Sequence, residues 1–215
     1  MKGVIITLLF LPLGSGHLFA QSKIDSLKKV LQQLNAPSPW GRAGVGLDTN
    51  KVNTLNDLSE QLWRKGNYDT ALIYANAAVQ SANSLPFGKG KGWAKGIAAS
   101  HNNIGNIYYR QGNYPEALKE HFASLKIKEE IGDKQGIADS HNNIGNIYYR
   151  QGNYPEALKE HFCSLKLREE LLEQAKRSGG TLGVNPAALR ESKQSIASSH
   201  NNIGLIYYEQ GNYPE

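Results

Sequence analysis

Histidines at 101, 141 and 200 occupy the same position of a recurring segment, and a ladder of imidazoles invites a metal ion. Successive helices pack ~8–10 Å apart, so two such rings could just reach one ion. A third ligand is missing, and a position that recurs on a packed helix reads as structural histidine. Cys163 is the single cysteine, which excludes an intrachain disulfide and a Cys-based zinc site. It stands where the sister copy has Ala123, so it reads as a small packing residue and not as a nucleophile. Glu129-Glu130 and Glu169-Glu170 are neighbours on a helix and do not face each other, which makes them a solvated surface. Gly88-Lys89-Gly90-Lys91-Gly92 looks like a phosphate loop, but no Gly-Lys pair is followed by Ser or Thr and no strand precedes it. With no triad, acid/base pair or cofactor box, the sequence predicts a non-enzyme that needs no cofactor and no metal.

The elements behind these residues are repeats. Ser100 to Phe122, SHNNIGNIYYRQGNYPEALKEHF, recurs unchanged from Ser140 to Phe162, 40 residues on. A third copy, Ser199 to Glu215, differs only at Leu205 and Glu209 and follows after a further 59 residues, 19 of them inserted. A weaker copy lies upstream, where Gly66 to Leu72 matches Gly112 to Leu118. A period between ~20 and ~50 residues marks a repeat architecture. Exposed positions such as Lys119 and Glu120 repeat as faithfully as apolar ones, the mark of recent duplication.

Each unit reads as two antiparallel helices. In helix A, Ile104, Ile107, Tyr108 and Gln111 recur at helical spacing and Gly112 supplies the stop. Asn113 is expected to cap helix B, with Glu116 completing a capping box and Pro115 in the first turn. Helix B is expected to bury the stripe Leu118, Phe122 and Leu125, with Gly105 and Ala117 letting the two helices approach closely. Neither helix buries its stripe alone, so neighbouring pairs must stack. An amphipathic first helix is expected over Ser22 to Leu34 through Ile24, Leu27, Val30, Leu31 and Leu34, capped by Ser22 and Asp25. Pro37–Gly46 and Pro86–Gly96 read as Gly/Pro-rich loops without helical period, and Asn185-Pro186 reads as the start of a lengthened fourth helix A.

The repeated unit resembles the tetratricopeptide repeat. Aligning Gly105 with that repeat's glycine puts Tyr108, Ala117 and Ser124 on its aromatic and small positions, while His101 and His121 stand at its tryptophan and second aromatic positions. The 40-residue period is similar to the longer variety of kinesin light chains, spindle-orientation adaptors and bacterial signalling arrays. The resemblance implies an all-α fold, a right-handed α-solenoid of antiparallel helix pairs. The chain then divides into a signal peptide (1–20), an N-terminal helix with a Pro/Gly-rich insertion (21–47) and a first repeat with a Gly/Lys-rich insertion (48–97). A second repeat (98–137), a third with an insertion (138–196) and an incomplete fourth (197–215) follow.

The resemblance also implies a concave groove lined by the A helices, with a peptide or protein as partner. Its ligand positions carry over to Asn102, Asn103, Asn106, Tyr109 and Arg110, then to Asn142, Asn143, Asn146, Tyr149 and Arg150, and last to Asn201 and Asn202. A carboxamide both donates and accepts, so such residues could pair with a peptide backbone as a strand edge would. Tyr faces would add apolar contact, and Arg110 and Arg150 would favour acidic side chains. The family's clamp for chaperone C-terminal carboxylates needs lysine where this chain has Asn102, Asn142 and Asp139, so that ligand is not expected.

Lys2, the apolar run Val4 to Leu11, Pro12 and the small residues before Ala20 describe a secretory signal, too short for the ~20 residues of a membrane span. An exported chain, periplasmic or secreted, is therefore expected. Membrane contact would come only through an uncleaved signal or a span beyond residue 215. The net charge is +5, yet the unit Ser100–Asp139 carries five basic against six acidic residues, so no basic stripe lies on the repeats and nucleic-acid binding is not expected. The sequence stops where a fourth helix B should begin. That predicts exposure of Ile203, Ile206 and Tyr207, either covered by self-association or belonging to a fragment. The reading that results is a non-catalytic protein-binding scaffold. The alternatives are the sensory input region of a larger bacterial signalling protein, such as a histidine kinase or nucleotide cyclase, and a structural component of envelope assembly.

Overall fold

The computed structural model describes residues 15–35, 45–83, 91–178 and 186–211. Among the described residues there are eight helices and no strand: α1 (Ser15–Asn35), α2 (Val45–Arg64), α3 (Tyr68–Asn83), α4 (Lys91–Arg110), α5 (Tyr114–Ile131), α6 (Lys134–Arg150), α7 (Tyr154–Ser178) and α8 (Pro186–Glu209). Helices α2/α3, α4/α5 and α6/α7 form antiparallel pairs; each second helix packs on the next pair, and α2 also touches α4 directly. The product is an α-solenoid, with α1 laid against α2 at one end and α8 against α7 at the other.

The turns share one backbone motif. Gly66, Gly112, Gly132 and Gly152 have φ of 82°, 75°, 71° and 72°, a left-handed conformation that glycine adopts without penalty. At the second turn Gly112 N–H donates to Tyr109 O (3.1 Å) and Asn113 N–H to Tyr108 O (2.9 Å), the double bond of a Schellman motif. The same two bonds recur at Gly66, Gly132 and Gly152. The expected capping box does not form: Asn113 makes no side-chain cap bond, and Glu116 accepts from Lys119 instead (3.1 Å). Pro115 removes one of the N–H groups a cap would serve, which leaves the Schellman turn to fix the chain's entry into α5. In the first repeat, where Asp69 replaces proline, Asn67 Oδ1 does accept from Thr70 N–H (3.4 Å).

Helix A buries the expected Ile104 and Ile107, as α6 buries Ile144 and Ile147 and α8 buries Ile203 and Ile206. Burying each such side chain is worth ~1.5–3 kcal/mol. The stripe of helix B differs from expectation. In α5 the buried residues are Ala117, His121, Ser124, Leu125 and Lys128, while Phe122 is 42% exposed and Phe162 of α7 is 46% exposed. His121 holds the position that faces helix A, which turns the next residue outward. Gly105 allows the expected close approach, with His121 as its neighbour: a Cβ on Gly105 would lie 2.8–2.9 Å from the His121 ring, and one on Gly145 2.9–3.1 Å from His161. In the first repeat the same two positions hold Ser59 and Ala75, both fully buried, so a smaller partner accompanies the larger residue.

Four further expectations are revised. Helix α1 starts at Ser15, so Ser22 lies inside it and Asp25 accepts from Gln21 Nε2 (3.1 Å) instead of forming a cap. Ile24 is buried and Leu27 and Leu31 pack beside it, but Val30 is exposed because it points away from α2. Residues 91–96, expected in a loop, form the first turns of α4, since Trp93 and Ile97 share one helical face and pack against Val52, Leu55, Ala78 and Ala82. Ile203 and Ile206 are not exposed and Tyr207 is half-buried: the isoleucines face α7, and the large apolar side chains left open on α8 are Leu205 and Tyr208. The loop residues 36–44, 84–90 and 179–185 and the signal residues 1–14 lie outside the described residues.

The glycine contact is directly testable. Gly105→Ala pushes a methyl against a fully buried ring and should lower stability by ~1–3 kcal/mol. Gly204→Ala, the third-copy counterpart with nothing within 4 Å, should be neutral or gain up to ~1 kcal/mol. Urea midpoints measured by circular dichroism decide it; equal shifts for both would remove the close-approach account.

Candidate functional site

The A helices α2, α4, α6 and α8 turn the same face into one concavity. A hollow of about 440 Å³ between α2, α4 and α6 is lined by Asn102, Asn103, Asn106, Tyr109, Arg110, Asn143 and Asn146. A second, of about 180 Å³, is lined by Tyr109, Asn146, Tyr149, Arg150, Asn202 and Leu205. Tyr109 and Asn146 belong to both, so the two form one trough. Asn142 and Asn201 line neither hollow.

Five residues of α2 also line the first hollow and were not read as groove positions from the sequence: Asn56, Asp57, Glu60, Trp63 and Arg64. The signal was available. The offset between Gly66 and Gly112 places them at the counterparts of Asn102, Asn103, Asn106, Tyr109 and Arg110. The recurrence is plain only at the turn, because α2 differs in three of the five side chains, Asp57 and Glu60 replacing asparagine and Trp63 replacing tyrosine.

Many of the asparagines already tie helix to helix. Asn143 Nδ2 donates to Asn102 Oδ1 (3.0 Å), and Asn202 Nδ2 donates to Asn142 Oδ1 (3.0 Å) and Asn146 Oδ1 (3.5 Å). Asn103 is buried and donates to the Asn56 backbone carbonyl (3.0 Å). Asn56 in turn donates to Gly96 O (2.8 Å) and accepts from Ser100 Oγ (2.7 Å). A carboxamide has two N–H donors and an acceptor oxygen, so Asn102, Asn143 and Asn146, which line the first hollow, keep spare capacity toward it. Asn106 makes no side-chain hydrogen bond among the described residues and is half-buried, the position best placed to meet a ligand.

The histidines divide by position. His101 Nδ1 lies 2.6 Å from Glu120 Oε2 and His141 Nδ1 2.6 Å from Glu160 Oε2, so these rings join helix A to helix B. No group of three His, Cys, Asp or Glu residues able to hold a metal occurs among the described residues. His121 and His161 form the floor beneath the trough, each with Nδ1 lacking a partner. Burial, helped by Lys128 and opposed by Glu120, holds His121 down at about 4; burial, with Arg168 beside it and Glu160 opposing, does the same for His161. At the trough's α2 end burial raises Asp57, with Glu60 adding to the rise and Lys23 opposing it. Asp139 is occupied, its Oδ1 accepting from Arg168 Nη2 (3.0 Å).

Two of these groups set an acid limb. An imidazole held at about 4 when folded and near 6.5 when unfolded stays neutral in the folded chain while the unfolded chain takes up a proton. Stability is therefore full above pH ~6.5 and falls as the pH drops toward 4, by up to ~1.4 kcal/mol per pH unit for each histidine. Asp57, raised when folded, works weakly the other way. Urea unfolding between pH 7 and 5 should show this slope, and His121→Gln should reduce it by about half; a flat wild-type profile contradicts it.

The comparisons with known proteins fall on the same repeats. The tetratricopeptide repeat family model matches residues 96–170. BtubC (BKLC) from P. vanneervenii has a similar structure, with a TM-score of 0.66 at 16% identity over 89% of this chain and 66% of that one. The apo form of RapI gives 0.59 at 16% identity, over 93% of this chain and 51% of that one. A Rap protein complexed with Competence and Sporulation Factor gives 0.57 at 20% identity, over 90% and 56%. The chain thus spans between 51% and 66% of the length of these neighbours. No curated protein matches it in sequence.

Proposed function

Starting from a chain whose residues 96–170 are tetratricopeptide repeats in an α-solenoid, we propose an exported, non-catalytic scaffold that holds an extended peptide or protein segment in its concave trough. The observation that carries this reading is the carboxamide ladder. Asn102, Asn143 and Asn146 fix one another or their neighbours with part of their hydrogen-bonding capacity and line the trough with the rest. Asn106 has all of it to give. Such a surface meets backbone N–H and C=O groups with little regard to sequence, while Tyr109 and Tyr149 offer apolar faces beside it. The solved complex of a similarly folded Rap protein with Competence and Sporulation Factor supports ligand binding by solenoids of this kind. The same trough would serve the input region of a larger signalling protein. Among the described residues no helix is long and apolar enough to cross a membrane.

Paired substitution tests the groove. Asn106→Ala with Asn146→Ala should weaken a partner recovered by pull-down about tenfold or more, at unchanged helicity. Unchanged affinity would remove the ladder from the binding site.

Export rests on the N-terminal charge and apolar run. Ile24, Leu27 and Leu31, which pack against α2, lie beyond the expected cut after Ala20 and stay with the mature chain. N-terminal sequencing of protein recovered outside the cytoplasm should begin at Gln21. Full-length chain retained inside the cell would refute the signal.

A further inference from the structure

Along one rim of the trough each A helix ends on an aromatic residue followed by a charged one: Trp63-Arg64, Tyr109-Arg110, Tyr149-Arg150 and Tyr208-Glu209. From the second repeat onward the charged residue reaches back to the aromatic residue of the repeat before. The Arg110 guanidinium lies 5.8 Å from the centroid of the Trp63 ring. Arg150 Nε donates to the Tyr109 hydroxyl oxygen (3.2 Å), and Glu209 Oε1 accepts from the Tyr149 hydroxyl (3.5 Å). A basic group in a helix's last turn is favoured by the helix dipole, and lysine would satisfy that as well as arginine. Ring contact and hydrogen bond do something more specific, since they hold the two guanidiniums along the rim before any ligand arrives.

The rim's charges are not equally satisfied. Arg64 is bound by Glu60, with Nη2 at 2.7 Å and Nε at 2.9 Å from the same carboxylate oxygen. Arg110 and Arg150 have no carboxylate within ion-pair distance among the described residues. Only Nε of Arg150 is engaged, which leaves both its terminal nitrogens for a bidentate acceptor. At the fourth repeat the same position carries Glu209, so the positive rim is two repeats long and ends on a negative charge.

We infer that Arg110 and Arg150 read two carboxylate side chains of an acidic peptide laid along the trough, and that Glu209 marks the end of the acidic stretch. This rests on the peptide-groove reading above and names the class of peptide. Arg110 and Arg150 are one repeat apart, a separation on the order of one helix diameter, ~10 Å, or about three residues of extended chain at ~3.3 Å each, so the two acidic residues are about three apart. A nucleic acid fits poorly, because Asp57, Glu60 and Glu209 break the positive field that a continuous row of phosphates needs. The Trp63 and Tyr109 rings give an apolar shelf beside the first carboxylate.

A phage-displayed library of random dodecapeptides, selected on the full chain, tests this. The selected peptides should carry Asp or Glu at two positions about three residues apart and lose affinity as salt rises. The double variant Arg110→Gln/Arg150→Gln, at unchanged helicity and urea midpoint, should bind them about tenfold or more weakly and select no acidic pair. Glu209→Arg should lengthen the acidic stretch that is selected. Peptides without acidic enrichment, or equal affinity for the double variant, overturn the inference and leave the trough a peptide site of another specificity. Selection of no peptide at all overturns the groove reading with it.

Discussion

The distance between the two helices of a pair is set by one contact, the face of a buried imidazole against a glycine. His121 meets Gly105 and His161 meets Gly145 with no room for a methyl group between them. The ring fills the space that a side chain on helix A would otherwise take, and it does so as a neutral group because burial keeps the proton off. That contact draws helix A down onto helix B, and the opposite face of helix A, with its asparagines, becomes the wall of the trough. The first repeat reaches the same end with Ser59 over Ala75, where two small residues replace a large one and a missing one. The pairing of sizes matters more than the residue types, as close packing requires.

Polar ties between repeats then hold the pairs in line. Lys128 at the end of α5 is buried and donates to Ser140 Oγ of α6 (2.8 Å); burial lowers its affinity for a proton, and Asp139 and Asp133 oppose that. The next repeat replaces it with Arg168, whose fork reaches Ser199 Oγ (2.7 Å), Ser195 O (2.9 Å) and Asp139 (3.0 Å). One lysine can satisfy one neighbour; the guanidinium joins three groups on two helices, at the junction where an insertion separates the repeats. The carboxamide rungs make the corresponding ties on the concave side. The last two interfaces are thus stapled on both faces, while between the first two repeats α2 packs on α4 directly and Ala82 stands where α5 has Lys128.

Much of this was legible in the sequence because duplication wrote it several times. The helix pairs, their glycine turns, the buried isoleucines of helix A and the Gly105 approach all follow from spacing that recurs without change. What was not legible depended on rotation about a helix axis. Phe122 is the larger and more apolar residue, and hydrophobicity alone favours it over His121 for the core; the glycine opposite selects the histidine. Likewise Ile203 and Ile206 looked exposed because a following helix was expected to cover them, yet their face belongs to the helix before. Trp93 was hidden among glycines and lysines whose composition argued for a loop, and only its packing on Val52 and Ala82 explains why the helix begins there. In the trough, the helices that the resemblance pointed to do line the hollows. It could not tell an asparagine spent on its neighbour, such as Asn103, from one facing open space, such as Asn106.

Near-identical repeats bear on how such a trough can discriminate at all. Where the copies agree, they offer a ligand the same groups at a regular interval, and the contacts suit a backbone, which is itself regular. Discrimination of register and direction has to come from the places where the copies differ. Along this trough those places are its two ends: Asp57, Glu60 and Trp63 in α2, which depart from the Asn, Asn and Tyr of later repeats, and Leu205 and Glu209 in α8, which depart from Asn and Arg. On the proposed reading the middle would hold a chain and, through Arg110 and Arg150, set its class, while the ends would set its register and direction. Divergence at the margins of an otherwise copied surface is what breaks the symmetry that the repeats impose.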